Sequence, residues 1–249
     1  MSRATVDLNA DLGEDGPCDS DILSLVSSAS IACGVHAGSP RLMLDTCRAA
    51  ARGGVRIGAH PSYDDRDGFG RRDVEVDRMT LTAGVAYQIG ALRAVAGTVG
   101  ASVTYVKLHG ALYNRAARDR EVAEAVIEAM AGDGAGLALL VLANSGIERW
   151  ATDAGIPCYA EAFADRLYAG DGALVPRSEP GALIQDPAVV AAQAVRLATT
   201  GTVTGRSRAD IEVRADSICI HGDGPGALRS ARAVRLALDE AGVDIRAFI

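Results

Sequence analysis

Lysine is nearly absent from this 249-residue sequence, because 24 of its 25 basic residues are arginine and only Lys107 is lysine. A chain that keeps a single ammonium suggests a position where a planar guanidinium cannot substitute for a compact charge. Basic residues are also outnumbered, since the net charge is −7 and the isoelectric point is about 5.1. This acidic balance argues against a nucleic-acid partner, which needs a basic face.

Other absences narrow the class of protein further. No apolar run approaches the roughly 18 residues of a membrane span, and the N-terminus lacks the charged-then-apolar pattern of a signal segment. The five cysteines are odd in number and form no CxxC pair, which argues against a disulfide framework. We therefore expect a reduced, cytoplasmic protein with neither a membrane nor a nucleic acid as its partner.

Short apolar segments alternate seven times with helix-like ones. The predicted strands are Thr5–Leu8, Ser30–Gly34, Val55–Ala59, Val103–Leu108, Leu137–Leu142, Pro157–Ala162 and Ser217–Ile220. The predicted helices are Asp19–Ser28, Pro40–Arg52, Asp77–Val99, Asp119–Met130, Gly146–Ala154, Pro187–Thr199 and Pro225–Ala241. This alternation is typical of an α/β protein with a parallel sheet, either a closed barrel or an open doubly wound sheet.

We favour a seven-stranded, TIM-barrel-like (β/α) barrel. Candidate site residues follow nearly every predicted strand, whereas an open sheet would concentrate them at one switch point. A single domain over residues 1–249 is the simplest organisation. The segment at about 163–216 is too long for one connection, so we predict an insertion there, with a small hairpin around Leu174–Arg177 and Leu183–Ile184 and then a helix.

All four histidines follow predicted strands and stand beside small residues. They are His36, His60, His109 and His221. A lone histidine in such a place is more often structural, but four that converge on one end of a barrel are hard to explain by packing alone. Adjacent glycines would let a ligand approach the backbone closely. We expect at least two of the four in an active site.

The first strand ends in a polar segment. Its period of two places Asp7, Asn9 and Asp11 on one side, and an apolar strand does not gather three polar groups without partners. Carboxylates there could ligate a metal, act as general bases or orient a histidine. Arg71 and Arg72 belong to a loop that could clamp a phosphate or carboxylate, with a plain surface loop as the alternative.

Lys107 and His109 are two residues apart at the end of the fourth predicted strand, so both should point into the barrel mouth. A lysine there can supply positive charge to a developing oxyanion or to a phosphoryl group. If it does, Lys107→Ala should lower kcat by roughly 10²–10³. We expect little effect of this substitution on folding, and no rescue by Lys107→Arg.

Seven segments in order resemble the LamB/YcsF lactam-utilisation family, and the match spans nearly the whole chain. They are Asp7–Glu14, Ser28–Gly38, Gly58–Pro61, Gly68–Arg72, Lys107–Asn114, Glu161–Arg166 and Ser217–Asp223. The sequence departs from the family pattern at Ala10, Ser30, Val35 and Leu108. The resemblance implies a barrel of the glycoside hydrolase/deacetylase type.

The resemblance also implies the activity of the A subunit of ATP-dependent 5-oxoprolinase. This enzyme opens the lactam 5-oxoproline to L-glutamate while ATP becomes ADP and phosphate, and the A subunit works with the B and C subunits. A Walker A loop needs Gly-Lys-[Ser/Thr], but the only lysine precedes Leu108. ATP as co-substrate is therefore handled by the partner subunits, which we favour, or its phosphates are held by Arg71, Arg72 and Lys107.

For lactam opening we predict Asp11 as general base on water, oriented by Asn9, and His109 as general acid. Lys107 would stabilise the oxyanion or phosphate. Substrate binding or orientation falls to the remaining polar residues, namely Asp7, His36, His60, Arg71, Arg72, His221 and Asp223. Two rivals remain: a metal-dependent deacetylase or amidohydrolase with a divalent ion on Asp11, His60 and His109, and a non-catalytic regulatory subunit.

Overall fold

The computed structural model of the protein describes residues 4–132, 136–222 and 226–249. Its strands are β1 (Thr5–Leu12), β2 (Ser28–Ala32), β3 (Arg56–His60), β4 (Val103–Val106), β5 (Ala138–Leu142), β6 (Cys158–Phe163), β7 (Thr202–Thr204), β8 (Asp210–Glu212), β9 (Ser217–Ile220) and β10 (Asp244–Ile245). Its helices are α1 (Asp19–Leu23), α2 (Pro40–Gly53), α3 (Arg78–Gly97), α4 (Gly110–Ala116), α5 (Arg120–Ala131), α6 (Gly146–Asp153), α7 (Pro187–Thr200) and α8 (Ala227–Glu240).

Seven parallel strands close into a barrel, in the order β1, β2, β3, β4, β5, β6 and β9, and β9 returns to pair with β1. The short β10 adds to β1 outside this ring. The prediction of a seven-stranded (β/α) barrel is confirmed. Parallel strands all end at the same rim, so residues that follow different strands meet there.

The barrel strands are buried along nearly their whole length, as their apolar sequences predict. One close approach inside the barrel requires a glycine. A Cβ on Gly58 of β3 would lie 2.2 Å from the ring of Tyr105 on β4. The missing side chain makes room for Tyr105, which is fully buried. The hydroxyl oxygens of Tyr105 and Ser30 are 3.2 Å apart and form a hydrogen bond.

The helix boundaries follow the predicted capping residues. Ser39 accepts a hydrogen bond from the backbone N–H of Leu42 and is followed by Pro40, the first residue of α2. Asp186 and Pro187 begin α7 in the same way. Gly54 ends α2 in the left-handed region, with φ 68°.

Three local predictions differ from the structure. The first helix ends at Leu23, and Ser28 already belongs to β2. Between β6 and β9 the chain forms one antiparallel strand pair, β7 with β8, which follows α7. Leu174 and Leu183 do not belong to it: Leu174 forms an isolated bridge to Tyr168, and Leu183 forms one to Arg166. The predicted hairpin was therefore wrong, because these residues pair back to the chain that leaves β6. The short helix α4 was not predicted.

None of the helices in the described ranges is both long and apolar enough to cross a membrane.

Candidate active site

The polar residues of β1 form a column inside the barrel, as the period of two predicts. Asp7 accepts hydrogen bonds from Ser27, Ser28 and Ser217, and Asn9 donates to Ser217 and to Glu161 at 2.7 and 2.9 Å. A strand rises about 3.3 Å per residue, so Asp7 lies roughly 13 Å below Asp11. Asp11 lines the cavity at the barrel mouth, whereas Asp7 and Asn9 lie below it and do not.

Lys107 lies at the centre of a buried charge network and is only 2% exposed. Its Nζ is 2.8 Å from Oδ1 of Asp11 and 2.7 Å from Oε1 of Glu161. It also donates to Oδ1 of Asn9 and to Sγ of Cys219, both at 3.2 Å. The hydrogen bonds to Asp11, Asn9 and Cys219 use the three N–H groups of the ammonium, so an oxyanion could bind there only by displacing one of these acceptors.

The charge on Lys107 is stable in this setting. Burial alone would favour a neutral amine, but Asp11, Cys219 and Glu161 outweigh it and hold the pKa of Lys107 well above its usual value. For Asp11, burial is likewise outweighed, and His60 and Lys107 hold the pKa of the carboxyl well below its usual value. Asp11 and Lys107 therefore form an ion pair at neutral pH.

Glu161 anchors this network from β6 and is fully buried. One carboxylate oxygen accepts from Asn9 and faces Lys107, and the other accepts from the hydroxyl of Tyr113 at 2.7 Å. Burial and the neighbouring Glu161 carboxylate raise the pKa of Tyr113 well above its usual value, so its hydroxyl keeps the proton that it donates. Three strands, β1, β6 and the end of β4, are thus tied together inside the mouth.

Three histidines and one glutamate form a second cluster beside the first. His60 ends β3, His109 precedes α4, and His36 and Glu14 lie in the loops that follow β2 and β1. Nε2 of His60 is 2.9 Å from Nδ1 of His109 and 3.4 Å from Oδ2 of Asp11. Nε2 of His36 is 3.0 Å from Oε1 of Glu14, and the His36 ring stacks on His109 with 3.8 Å between the centroids.

The protonation of these histidines differs. Burial, together with His60 and His36, lowers the pKa of His109, so its imidazole is neutral at physiological pH. Burial also lowers the pKa of His36. Burial pulls the pKa of His60 in the same direction, but Asp11 outweighs it and raises that pKa above its usual value.

His221 lies in the same cavity but belongs to another set of contacts. Its Nδ1 is 2.8 Å from the carboxylate of Asp165, and its ring stacks on Phe163. Burial would raise the pKa of Asp165, but the electrostatic interaction and the hydrogen bonds with His221 outweigh it and hold that pKa below its usual value. His60, His109 and His221 line one cavity, with His36 packed directly on His109, so the four histidines meet at one barrel end as predicted.

The cavity at the mouth has a volume of about 440 Å³ and two kinds of lining. Asp11, Glu14 and the histidines come from the ends of β1, β3, β4 and β9. Lys107 and four arginines supply the rest of its charge, and the arginines are Arg71, Arg118, Arg166 and Arg177. The predicted Arg72 is not among them, because its exposed side chain pairs with Asp65. The predicted Asp223 lies outside the described residues.

The profile of the LamB/YcsF family matches residues 6–249. The chain belongs to the LamB/YcsF family. A protein of Paracidovorax citrulli named as the A subunit of 5-oxoprolinase is 50% identical over 248 residues, which cover 98% of this chain and 99% of that protein. The crystal structure of a lactam utilization protein from Thermus thermophilus is 45% identical, with a TM-score of 0.91 over 98% of this chain and 99% of that one.

Similarity at the level of the fold extends further. A solved T48 deacetylase is 13% identical, with a TM-score of 0.51 over 98% of this chain and 87% of that one. The chain thus shares its barrel fold with a deacetylase, as the family resemblance implies. Its high-identity relatives support a role in 5-oxoprolinase or lactam utilisation for this member of the LamB/YcsF family.

Several residues of the site had no predicted role, among them Glu14, Glu161, Asp165 and Arg166, although all four lie in the segments that carry the family resemblance. Glu161 could have been found, because it is the one charged residue in the otherwise uncharged β6. Asp165 follows the same strand, as the histidines follow theirs. Glu14 gives no comparable signal, since it stands among other acidic residues in a polar loop.

Proposed function

We propose that this chain is the A subunit of an ATP-dependent 5-oxoprolinase. In this reaction the lactam of 5-oxoproline is opened to L-glutamate while ATP becomes ADP and phosphate, and the B and C subunits complete the enzyme. The chain is a hydrolase acting on a cyclic amide, and it supplies the lactam-opening site. The relatives named as 5-oxoprolinase A subunits support this proposal over the full length of the chain.

The two-sided cavity is the observation that carries the proposal. The substrate has one carboxylate and one amide, and the cavity offers arginines together with a cluster of carboxylates and imidazoles. Arg166 is the clearest candidate for the carboxylate. It is 5% exposed and donates to the carbonyl of Val175 at 2.7 Å, while its Nε is buried without a partner.

The electrostatics of Arg166 favour an anionic ligand. Burial, reinforced by the charge of Arg177, lowers the pKa of Arg166 to about 10. A bound carboxylate would offset this repulsion through charge-assisted hydrogen bonds. Arg166 is held in place because Gln193 on α7 donates to its carbonyl at 2.9 Å, as it does to those of Phe163 and Ala164.

The amide of the substrate would then face Asp11, His60 and His109. Asp11 is ionised and keeps its proposed role as the acceptor of a proton from water. A neutral His109 is a poor general acid, because its remaining proton is directed at the carbonyl of Phe69, 2.8 Å from Nε2. We propose that Lys107 fixes the position and charge of Asp11, and that Asn9 and Glu161 hold Lys107.

We assign ATP to the partner subunits. The alternative clamp of Arg71, Arg72 and Lys107 does not suit a triphosphate. Arg72 is paired with Asp65 outside the cavity, and Lys107 is buried with its protons engaged. A phosphorylated substrate or intermediate would be handed to this cavity by the partners, which explains the need for a complex.

The test is ATP-dependent release of L-glutamate from 5-oxoproline. This chain is assayed alone, the B and C subunits are assayed together, and all three are combined. We expect turnover only in the full mixture. Full activity of the isolated chain would contradict the assignment of ATP to the partners, and full activity of B and C without this chain would contradict a lactam-opening role.

A further inference from the structure

We propose that Glu14, His36, His60 and His109 form a binding site for one divalent transition-metal ion. The four ligand atoms are Oε1 of Glu14, Nε2 of His36, Nε2 of His60 and Nδ1 of His109, and all lie within 4.8 Å of one another. The site uses His60 and His109 of the predicted metal set but replaces Asp11 by Glu14 and His36. Asp11 instead commits Oδ1 to Lys107 at 2.8 Å.

The spacing of these atoms suits a small four-coordinate ion. Zinc binds nitrogen and carboxylate oxygen at about 2.0–2.2 Å, so the ligand atoms of a tetrahedral site are about 3.4 Å apart. The separations from Oε1 of Glu14 are 3.0 Å to His36, 3.8 Å to His60 and 3.4 Å to His109. His60 and His109 are 2.9 Å apart. Glu14, His60 and His109 therefore need only small shifts to close on an ion, whereas the His36 ring would have to rotate out of its stack on His109 to direct Nε2 at the same ion.

The tautomers of two histidines provide an independent reason. Nδ1 of His60 is 2.7 Å from the carbonyl of Lys107, and Nε2 of His109 is 2.8 Å from that of Phe69. A carbonyl only accepts hydrogen bonds, so these two nitrogens carry the protons. The remaining nitrogens, Nε2 of His60 and Nδ1 of His109, face each other at 2.9 Å. Two lone pairs at this distance require a cation between them, which is either a proton on His60 or a metal ion.

This arrangement is the one that metal-binding histidines adopt, with the outer N–H donated to a backbone carbonyl. His36 lacks that support, since its Nδ1 is buried without a partner. It should be the weakest of the four ligands. A tetrahedral ion held by all four side chains keeps no open position, so it could polarise an amide carbonyl or a water molecule of the adjoining cavity only after His36, the weakest ligand, has been displaced.

A second group of potential ligands, Asp11, Cys219 and His221, is less suitable. Asp11 and Cys219 both contact Nζ of Lys107, and His221 is held by Asp165. A cation there would lie beside the ammonium. At the histidine cluster, by contrast, Lys107 contributes its backbone carbonyl, which accepts a hydrogen bond from His60.

The experiment measures metal binding by the whole chain, without reference to turnover. Protein stripped with a chelator is titrated with Zn²⁺ by calorimetry, and the visible spectrum of the Co²⁺ form reports tetrahedral nitrogen and oxygen ligation. We expect one equivalent of Zn²⁺ and a higher melting temperature. Outer-shell changes typically weaken binding 10–100-fold, so loss of a ligand in His60→Gln, His109→Gln or Glu14→Gln should weaken it by about 100-fold or more.

His221→Gln is the matched control, because it removes a histidine from the same cavity but not from the cluster. It should bind Zn²⁺ like the wild type, and His36→Gln should show a smaller loss than the other ligand variants. Circular dichroism of the metal-free variants shows whether each one folds. Absence of stoichiometric binding by folded wild type would overturn the proposal and leave a proton shared by His60 and His109. Loss of binding in His221→Gln alone would also overturn it.

Discussion

Replacing Lys107 by methionine, which preserves length without charge, should destabilise the protein strongly. The substitution leaves Asp11 and Glu161 buried with no ammonium between them, and removing one partner of a buried ion pair typically costs about 3–5 kcal/mol. In a chain of this size a loss of 1 kcal/mol in the free energy of unfolding lowers the melting temperature by roughly 2–4 °C, so the melting temperature should fall by roughly 6–20 °C. The sequence alone predicted a fold nearly unaffected by loss of Lys107. The structure reverses that expectation, since the side chain is 2% exposed.

Thermal unfolding by circular dichroism at neutral pH measures the effect, and a double-mutant cycle identifies its cause. Glu161→Gln removes one of the two uncompensated charges, so Lys107→Met combined with Glu161→Gln should be less destabilised than the sum of the single variants. Lys107→Arg tests charge against shape, because it keeps the cation but not the compact ammonium. A melting temperature for Lys107→Met within about 2 °C of wild type would refute the reasoning, as it would correspond to at most about 1 kcal/mol.

Two further predictions concern Asp7 and Arg166. Burial raises the pKa of Asp7 from 3.8 to about 6, because it outweighs the hydrogen bonds from Ser217, Ser27 and Ser28, which lower this pKa. The folded state therefore holds the Asp7 proton more tightly than the unfolded state does, and ionisation costs up to about 3 kcal/mol as the pH rises through this window. The melting temperature of Asp7→Asn should accordingly improve relative to wild type between pH 4 and pH 7, and a constant difference would contradict the shifted pKa. Arg166→Gln should raise the KM for 5-oxoproline in the reconstituted enzyme by about 10-fold or more, since a charge-assisted hydrogen bond contributes roughly 1.5–3 kcal/mol. Arg72→Gln, at an arginine outside the cavity, is the control, and an equal rise in its KM would count against the assignment of Arg166.

The fold was predictable because its signals are local. Each barrel strand is a short, mostly apolar segment, and the helices α2, α3, α5 and α7 each begin at a side-chain cap such as Ser39 or Asp186. The positions of the histidines followed from the same pattern, since residues after parallel strands share one rim. The connection between β6 and β9 was harder. Leu174 pairs with Tyr168 across the turn at Asp171-Gly172, a turn motif that the sequence analysis did not use, and no local signal marks the longer-range pairing of Leu183 with Arg166.

The partners within the site could not be predicted, because they depend on how the barrel closes. Lys107 reaches Asp11 on β1 and Glu161 on β6, which the order of strands brings together across the barrel from distant parts of the sequence. Polarity alone therefore suggested that Lys107 is a free oxyanion donor, whereas the structure shows a buried cation whose hydrogen bonds are already made.

The same reasoning applies to the histidines. Sequence could place His60 and His109 at the rim, but only the carbonyls of Lys107 and Phe69 decide which ring nitrogens carry protons. Those backbone contacts turn two imidazoles toward each other, and this orientation leads from a set of candidate residues to a specific site for an ion.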